Sequence, residues 1–107
     1  MTVKRKAHHE LAAVKAKFAS VDTLEMTKPA FRSAQALGFG REEVVAAVQA
    51  LDRLDFVKSE TAHNPPNHRC WHDTYKSRQS EDYLYLKFAG ETLIDVVLVS
   101  FKEVDSD

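Results

Sequence analysis

The sequence predicts an α+β fold, with N-terminal helices packed on one face of a C-terminal antiparallel β-sheet. Two observations carry this. Apolar residues in the first half recur at helical spacing, as in Leu11, Val14 and Phe18, whereas the second half holds runs of β-branched and aromatic residues either side of Gly90-Glu91. Helices first and strands second favour segregated layers over alternating βαβ units.

The chain in order supports one domain over residues 1–107, with 1–7 and 104–107 expected as flexible tails. Lys4, Arg5 and Lys6 have no apolar neighbour to anchor them. A first helix is expected from about residue 8 to 18. Ala19 to Met26 reads as a loop in which Val21 and Leu24 favour partial burial. Thr27 is an N-cap, followed by Lys28 and Pro29 in a first turn where a missing N–H costs nothing. The second helix turns Phe31, Ala34 and Leu37 inward and stops at Gly38, with Phe39 folded back over its end. Gly40 starts a third helix, with Glu42 and Glu43 at its positive pole and Val44, Val45, Val48 and Leu51 inward; Arg41, Glu42, Gln49 and Arg53 face water. Leu54 to Glu60 is a weak strand signal because neither side is cleanly apolar. Thr61 to Asn67 contains Asn64-Pro65-Pro66-Asn67 and reads as a loop. Cys70 to Lys76 is a short strand, and Ser77 to Asp82 is a polar connection.

The strongest element is a hairpin from Tyr83 to Glu103, turning at Gly90-Glu91, where glycine suits a two-residue II′ turn. That register pairs Ala89 with Thr92 and Tyr85 with Val96. It places Leu84, Leu86, Phe88, Val97, Val99 and Phe101 on the core face. Tyr83, Tyr85, Lys87, Ser100 and Lys102 go to the open face, beside Ile94, Val96 and Leu98.

Composition narrows the function. With 15 Lys+Arg against 16 Asp+Glu the net charge is −1, which argues against a protein that coats nucleic acid along its whole surface and restricts any such site to a local patch. One cysteine, Cys70, excludes an internal disulfide framework. No apolar run approaches the roughly 20 residues that span a bilayer, so a cytoplasmic protein without membrane contact is expected.

His68, Cys70 and His72 alternate, so a strand would project them from one face as potential zinc ligands, yet their spacing matches none of the recurring metal pairs. No metal and no cofactor is assigned. No phosphate-binding glycine loop and no nucleophile elbow is present. What remains is a cluster of proton-transfer and cationic groups: Lys58, His72, Tyr75, Lys76, Arg78, Tyr83, Tyr85 and Lys102. These are the parts of a metal-free ribonuclease, in which a base deprotonates a 2′-hydroxyl, cations stabilise a dianionic phosphorane and an acid protonates the leaving 5′-oxygen.

These residues also carry a resemblance. Lys4-Arg5 with His8, Leu11 and Val14, the segment Ser33 to Gly38, Asp55-Phe56-Val57-Lys58-Ser59, Trp71-His72-Asp73-Thr74-Tyr75, Tyr85-Leu86-Lys87 and Val99-Ser100-Phe101-Lys102-Glu103 resemble, in order, the motility quorum-sensing regulator (MqsR) toxins. The resemblance implies a RelE-like fold and the toxin of a type II toxin–antitoxin pair. It implies an mRNA endoribonuclease that cuts near GCU-type sequences without a metal or a ribosome. It also implies a partner, an antitoxin that holds its own zinc and binds DNA, which this chain alone is not expected to do. By the same resemblance Lys58, His72, Tyr85 and Lys102 are the expected catalytic residues and Lys76 and Arg78 match basic positions; Lys76, Arg78 and, from the cluster above, Tyr75 are the expected RNA contacts.

Three departures stand out. His72 occupies the place of a family glutamine, Ala62 to Arg69 looks like an insertion beside the site, and the hairpin is longer between Tyr85 and Lys102. The two-residue turn moreover sets Tyr85 and Lys102 about 20 Å apart along a strand. On that register Lys58, His72 and Tyr85 surround one phosphate while Lys102 holds another nucleotide. A non-catalytic, antitoxin-binding regulator and a metal-binding module remain as alternative readings.

Overall fold

The computed structural model describes residues 3–63, 66–77 and 83–103. Three helices, α1 (Leu11–Lys17), α2 (Lys28–Ala36) and α3 (Arg41–Gln49), precede an antiparallel sheet. Its strands are β1 (Val3–Lys4), β2 (Phe56–His63), β3 (Pro66–Ser77), β4 (Leu84–Gly90) and β5 (Val97–Glu103), in the spatial order 1-2-3-4-5. Among the described residues no helix is long and apolar enough to cross a membrane.

The helix punctuation follows local chemistry. Thr27 Oγ1 accepts the Ala30 N–H at 3.3 Å. At the other end of α2, Gly38 takes φ +87°, and the N–H groups of Gly38 and Phe39 reach back to Gln35 O and Ala34 O, both at 2.9 Å. This Schellman arrangement satisfies carbonyls that the helix leaves open. It also lays Phe39 against Phe101, 5.1 Å between ring centroids. The inward face of α2 is formed by Ala30 and Ala34, with Phe31 only half-buried.

Two polar residues expected in water are structural ties. Arg41 donates to Val21 O and Leu24 O, and the Gln49 amide donates to Lys15 O and Phe18 O, closing the end of α1. Helix α1 begins later than expected because the His8 and His9 N–H groups are drawn to Asp73, at 3.1 and 2.9 Å. The basic segment expected as a free tail is likewise held: Val3 and Lys4 pair with Glu60 and Ser59, and Lys4 Nζ lies 4.0 Å from the centre of the Trp71 ring.

The sheet corrects several expectations. Strand β2 extends to His63 and β3 begins at Pro66, pairing Ala62 with Asn67 and His63 with Pro66, where a loop from Thr61 to Asn67 was expected; Asn64 and Pro65 lie outside the described residues. Pro66 begins its strand, a position that tolerates a missing ladder donor. The hairpin of β4 and β5 does not turn at Gly90-Glu91. Gly90 ends β4, and residues 91–96 form the connection. Asp95 braces it by accepting from the Glu91 N–H, the Thr92 N–H and the Thr92 hydroxyl. These bonds, the hydroxyl first, hold its carboxyl well below the usual carboxylate range. Lys17 of α1 donates to the carbonyls of Leu93, Ile94 and Val96.

The resulting register pairs Tyr85 with Lys102, Leu86 with Phe101 and Lys87 with Ser100. A bulge follows, because Phe88 pairs with Leu98 and Val99 is the extra residue. Alternation therefore changes phase within β5. Phe101, Leu98 and Val96 enter the core, while Val97 and Val99 are only half-buried. A second bulge at Val57 sends Phe56 toward Tyr75 on the helix side and Lys58 toward Thr74 on the other, which is why β2 showed no clean apolar side. The core lies between the helices and this sheet face, with Phe18 stacked on Phe88 at 5.8 Å and Tyr75 edge-on to both Phe88 and Phe56. The outer edge of β5 is covered by the segment before α2, through Leu98 N–H to Glu25 O and Thr27 N–H to Leu98 O.

Candidate active site

The face turned away from the helices presents three rows of cross-strand neighbours. The outermost row is Lys76, Tyr85 and Lys102; the next is Lys58, Thr74, Lys87 and Ser100; the third is Glu60, His72 and Ala89. Directly opposed residues in an antiparallel ladder lie roughly 5 Å apart at Cα, so Tyr85 and Lys102 are immediate neighbours. The separation of about 20 Å that followed from a two-residue turn does not exist, and the assignment of Lys102 to a different nucleotide falls with it.

The first two rows enclose a cleft of about 320 Å³ lined by Val57, Lys58, Thr74, Tyr85, Lys87, Ser100 and Lys102. Three of the four expected catalytic residues, Lys58, Tyr85 and Lys102, therefore share one cleft. Among the lining residues there are three ammonium groups and no carboxylate. Glu60 approaches from the side, with its carboxylate 3.5 Å from Lys58 Nζ. Thr74 is 6 % exposed, and its buried hydroxyl has no hydrogen-bond partner among the described residues.

The remaining expected residues fall in different places. His72 stands in the third row, opposite Glu60, beside the cleft and not in its lining. Lys76 is next to Tyr85, with its ammonium 5.0 Å from the centre of the Tyr83 ring. Tyr75, expected as an RNA contact, is 1 % exposed and sits on the helix side against Phe56 and Phe88. Burial, reinforced by the charge of Asp73, pushes its phenol up to about 12, so it stays protonated at neutral pH. Arg78 and the side chain of His68 lie outside the described residues. Burial, then the charges of Glu91 and Asp95, pushes the Cys70 thiol up, away from the thiolate a metal would need.

Lys87 and Ser100 were placed on the open face from the sequence but not among the catalytic or RNA-contact residues, and Thr74 was not singled out. Lys87 follows Tyr85 by two residues on one strand and so shares its face. Thr74 bears the same relation to His72.

Fold and site together define a small α+β protein with a cationic, phenol-bearing cleft on its open sheet face, equipment suited to a polyanionic substrate. The family described as "Motility quorum-sensing regulator, toxin of MqsA" matches residues 6–103, and the chain belongs to that family. It is 33% identical over 100 residues to the mRNA interferase toxin MqsR of Escherichia coli (strain K12), covering 94% of this chain and 97% of that protein.

Proposed function

We propose that this chain is an endoribonuclease toxin that arrests growth by cleaving mRNA through metal-independent transphosphorylation. The convergence of Lys58, Tyr85 and Lys102, with Lys87, on one cleft of the open sheet face carries this reading. The family's description as a toxin and the relative's name as an mRNA interferase support it. A cytoplasmic address and an antitoxin partner, zinc-bearing and DNA-binding, belong to the same reading, as does preference for short GCU-like sequences without a ribosome.

In this mechanism the 2′-oxygen attacks the adjacent phosphorus and loses its proton to a base. A bond to the 5′-oxygen breaks, and that oxygen takes a proton from an acid, leaving a 2′,3′-cyclic phosphate and a 5′-hydroxyl. Three ammonium groups converging on one cleft stabilise the doubly charged phosphorane more than the singly charged ground state. Lys58 leaves Glu60 to meet the phosphate, an exchange that a partly exposed pair makes at small cost. Tyr85 donates a hydrogen bond or a proton to a reacting oxygen, and Lys102 beside it favours negative charge there. His72, one row away, carries protons at the margin of the cleft, and Lys76 holds the strand beyond.

The test is incubation of purified protein with a long defined RNA, with and without EDTA, followed by mapping of fragment ends. Sequence-restricted cuts that survive EDTA and end in 2′,3′-cyclic phosphate are expected. Intact RNA from folded protein would favour a non-catalytic regulator, and cleavage abolished by EDTA would overturn the metal-free chemistry.

A further inference from the structure

A second cleft, of about 490 Å³, opens on the helix side of the sheet, where Arg5, Lys6, His8 and Arg53 surround a floor that includes Phe56 and Tyr75. We propose that this cleft binds the phosphate backbone of single-stranded RNA running on from the catalytic cleft, an inference that rests on the ribonuclease reading above.

Charge is the first argument. The net charge of the chain is −1, yet Arg5, Lys6 and Arg53 converge here, all exposed. Glu10 is the one carboxylate among the lining residues. None of these three side chains makes an ion pair or hydrogen bond among the described residues. Folding gives three like charges no reason to gather unpaired, whereas a polyanion gains from each of them.

Continuity is the second. Strand β2 passes from Lys58 in the catalytic cleft through the bulge at Val57 to Phe56 in the second cleft, with Arg53 in the turn just before it. Two residues of strand span roughly 7 Å, so the clefts are separated by little more than the width of the sheet edge. Strand β1 leaves its ladder with β2 after Lys4 meets Ser59, and the antiparallel direction carries Arg5 toward Lys58. A cation therefore flanks the crossing itself. Val57, 44% exposed, and Leu54, 91% exposed, stand beside this edge. They offer apolar surface to unstacked bases. The lining offers guanidinium and ammonium groups for phosphates, so the contact is tolerant of sequence.

The test uses the full chain and an Arg5→Ala/Lys6→Ala/Arg53→Ala variant with two RNAs that share one cleavage site, a five-nucleotide oligomer and a long single strand. The long RNA should show a KM raised about tenfold or more with kcat unchanged, while the short one is cut as by the parent. Losing three phosphate contacts should also lower the salt dependence of long-RNA binding by about 2 in log–log slope. An Arg53→Lys variant, which keeps the charge, should behave as the parent. Equal handling of both RNAs by the triple variant would overturn the proposal, as would equal losses on both. Unchanged RNA handling with lost binding of polyglutamate would assign the cleft to an acidic protein instead. Should the parent cut neither RNA, the ribonuclease reading fails by itself. Fluorescence anisotropy with the same long RNA then decides the cleft, and equal binding by parent and variant overturns it.

Discussion

Two tyrosines ten residues apart illustrate how position, not residue type, assigns a role. Tyr85 lies in the open-face cleft beside Lys102, whereas Tyr75 is in the core with its phenol pushed up to about 12. In the proposed mechanism Tyr85→Phe removes a group that acts on the reacting oxygens, and Lys58→Ala or Lys87→Ala removes one of three charges. Each should lower cleavage by about 10² to 10³, the usual cost of losing one transition-state donor, and relieve growth arrest with the circular dichroism spectrum unchanged. Tyr75→Phe keeps the ring packed against Phe88 and should cut RNA within about twofold of the parent. Single-turnover cleavage of one oligonucleotide by all four variants is the measurement. Full activity in Lys87→Ala would remove that residue from the site, and loss in Tyr75→Phe at unchanged stability would contradict its placement in the core alone.

At the scale of elements, what could be read from the sequence divides along a physical line. Helix ends are decided within a few residues, so Thr27 as cap, Gly38 as stop and Phe39 folded over the end were all legible. Strand pairing is decided at a distance. The β4–β5 connection is held by Asp95 and by Lys17 from another element, neither of which enters an argument based on glycine at a turn. Alternation also assumes an unbroken ladder, and the bulges at Val57 and Val99 each shift its phase by one residue. The nearness of Lys58 to Tyr85 was therefore legible, while the place of Lys102 beside them in the candidate site was not. The same bulge makes a prediction at this scale. Deleting Val57 restores simple alternation in β2 and turns either Phe56 or Lys58 to the wrong face. Cleavage should then fall by at least 10², the loss expected when one transition-state donor goes, whereas Val57→Ala, which keeps the bulge, should retain most activity. Equal activity in the two variants would show that the bulge does not aim Lys58.

Across the whole molecule, the N-terminal segment and the sheet are tied at one carboxylate. Asp73 is 1% exposed and accepts the N–H groups of both His8 and His9. The His9 ring reaches Gly90 O at 3.1 Å, and the His8 ring stacks on Trp71, whose centre lies 4.0 Å from Lys4 Nζ. Asp73 sits between His72 and Thr74 in sequence but on the opposite face, so it braces the frame of the cleft without entering it. Asp73→Ala strands two amides, at about 1–3 kcal/mol each, and should lower the unfolding free energy by roughly 2–6 kcal/mol, a large share of the 5–15 kcal/mol typical of a domain. Asp73→Asn keeps one acceptor oxygen and should lose less. Urea unfolding at one pH separates them, with the midpoint falling in the order parent, Asn, Ala. Because this tie fixes the strand that carries Arg5 toward Lys58, the Asn variant should weaken long-RNA binding more than cleavage of a five-nucleotide RNA. An unchanged midpoint in Asp73→Ala would show that the two amide bonds to Asp73 do not hold the N-terminal segment, and would remove this tie as the device that positions Arg5 and Lys6 for the RNA.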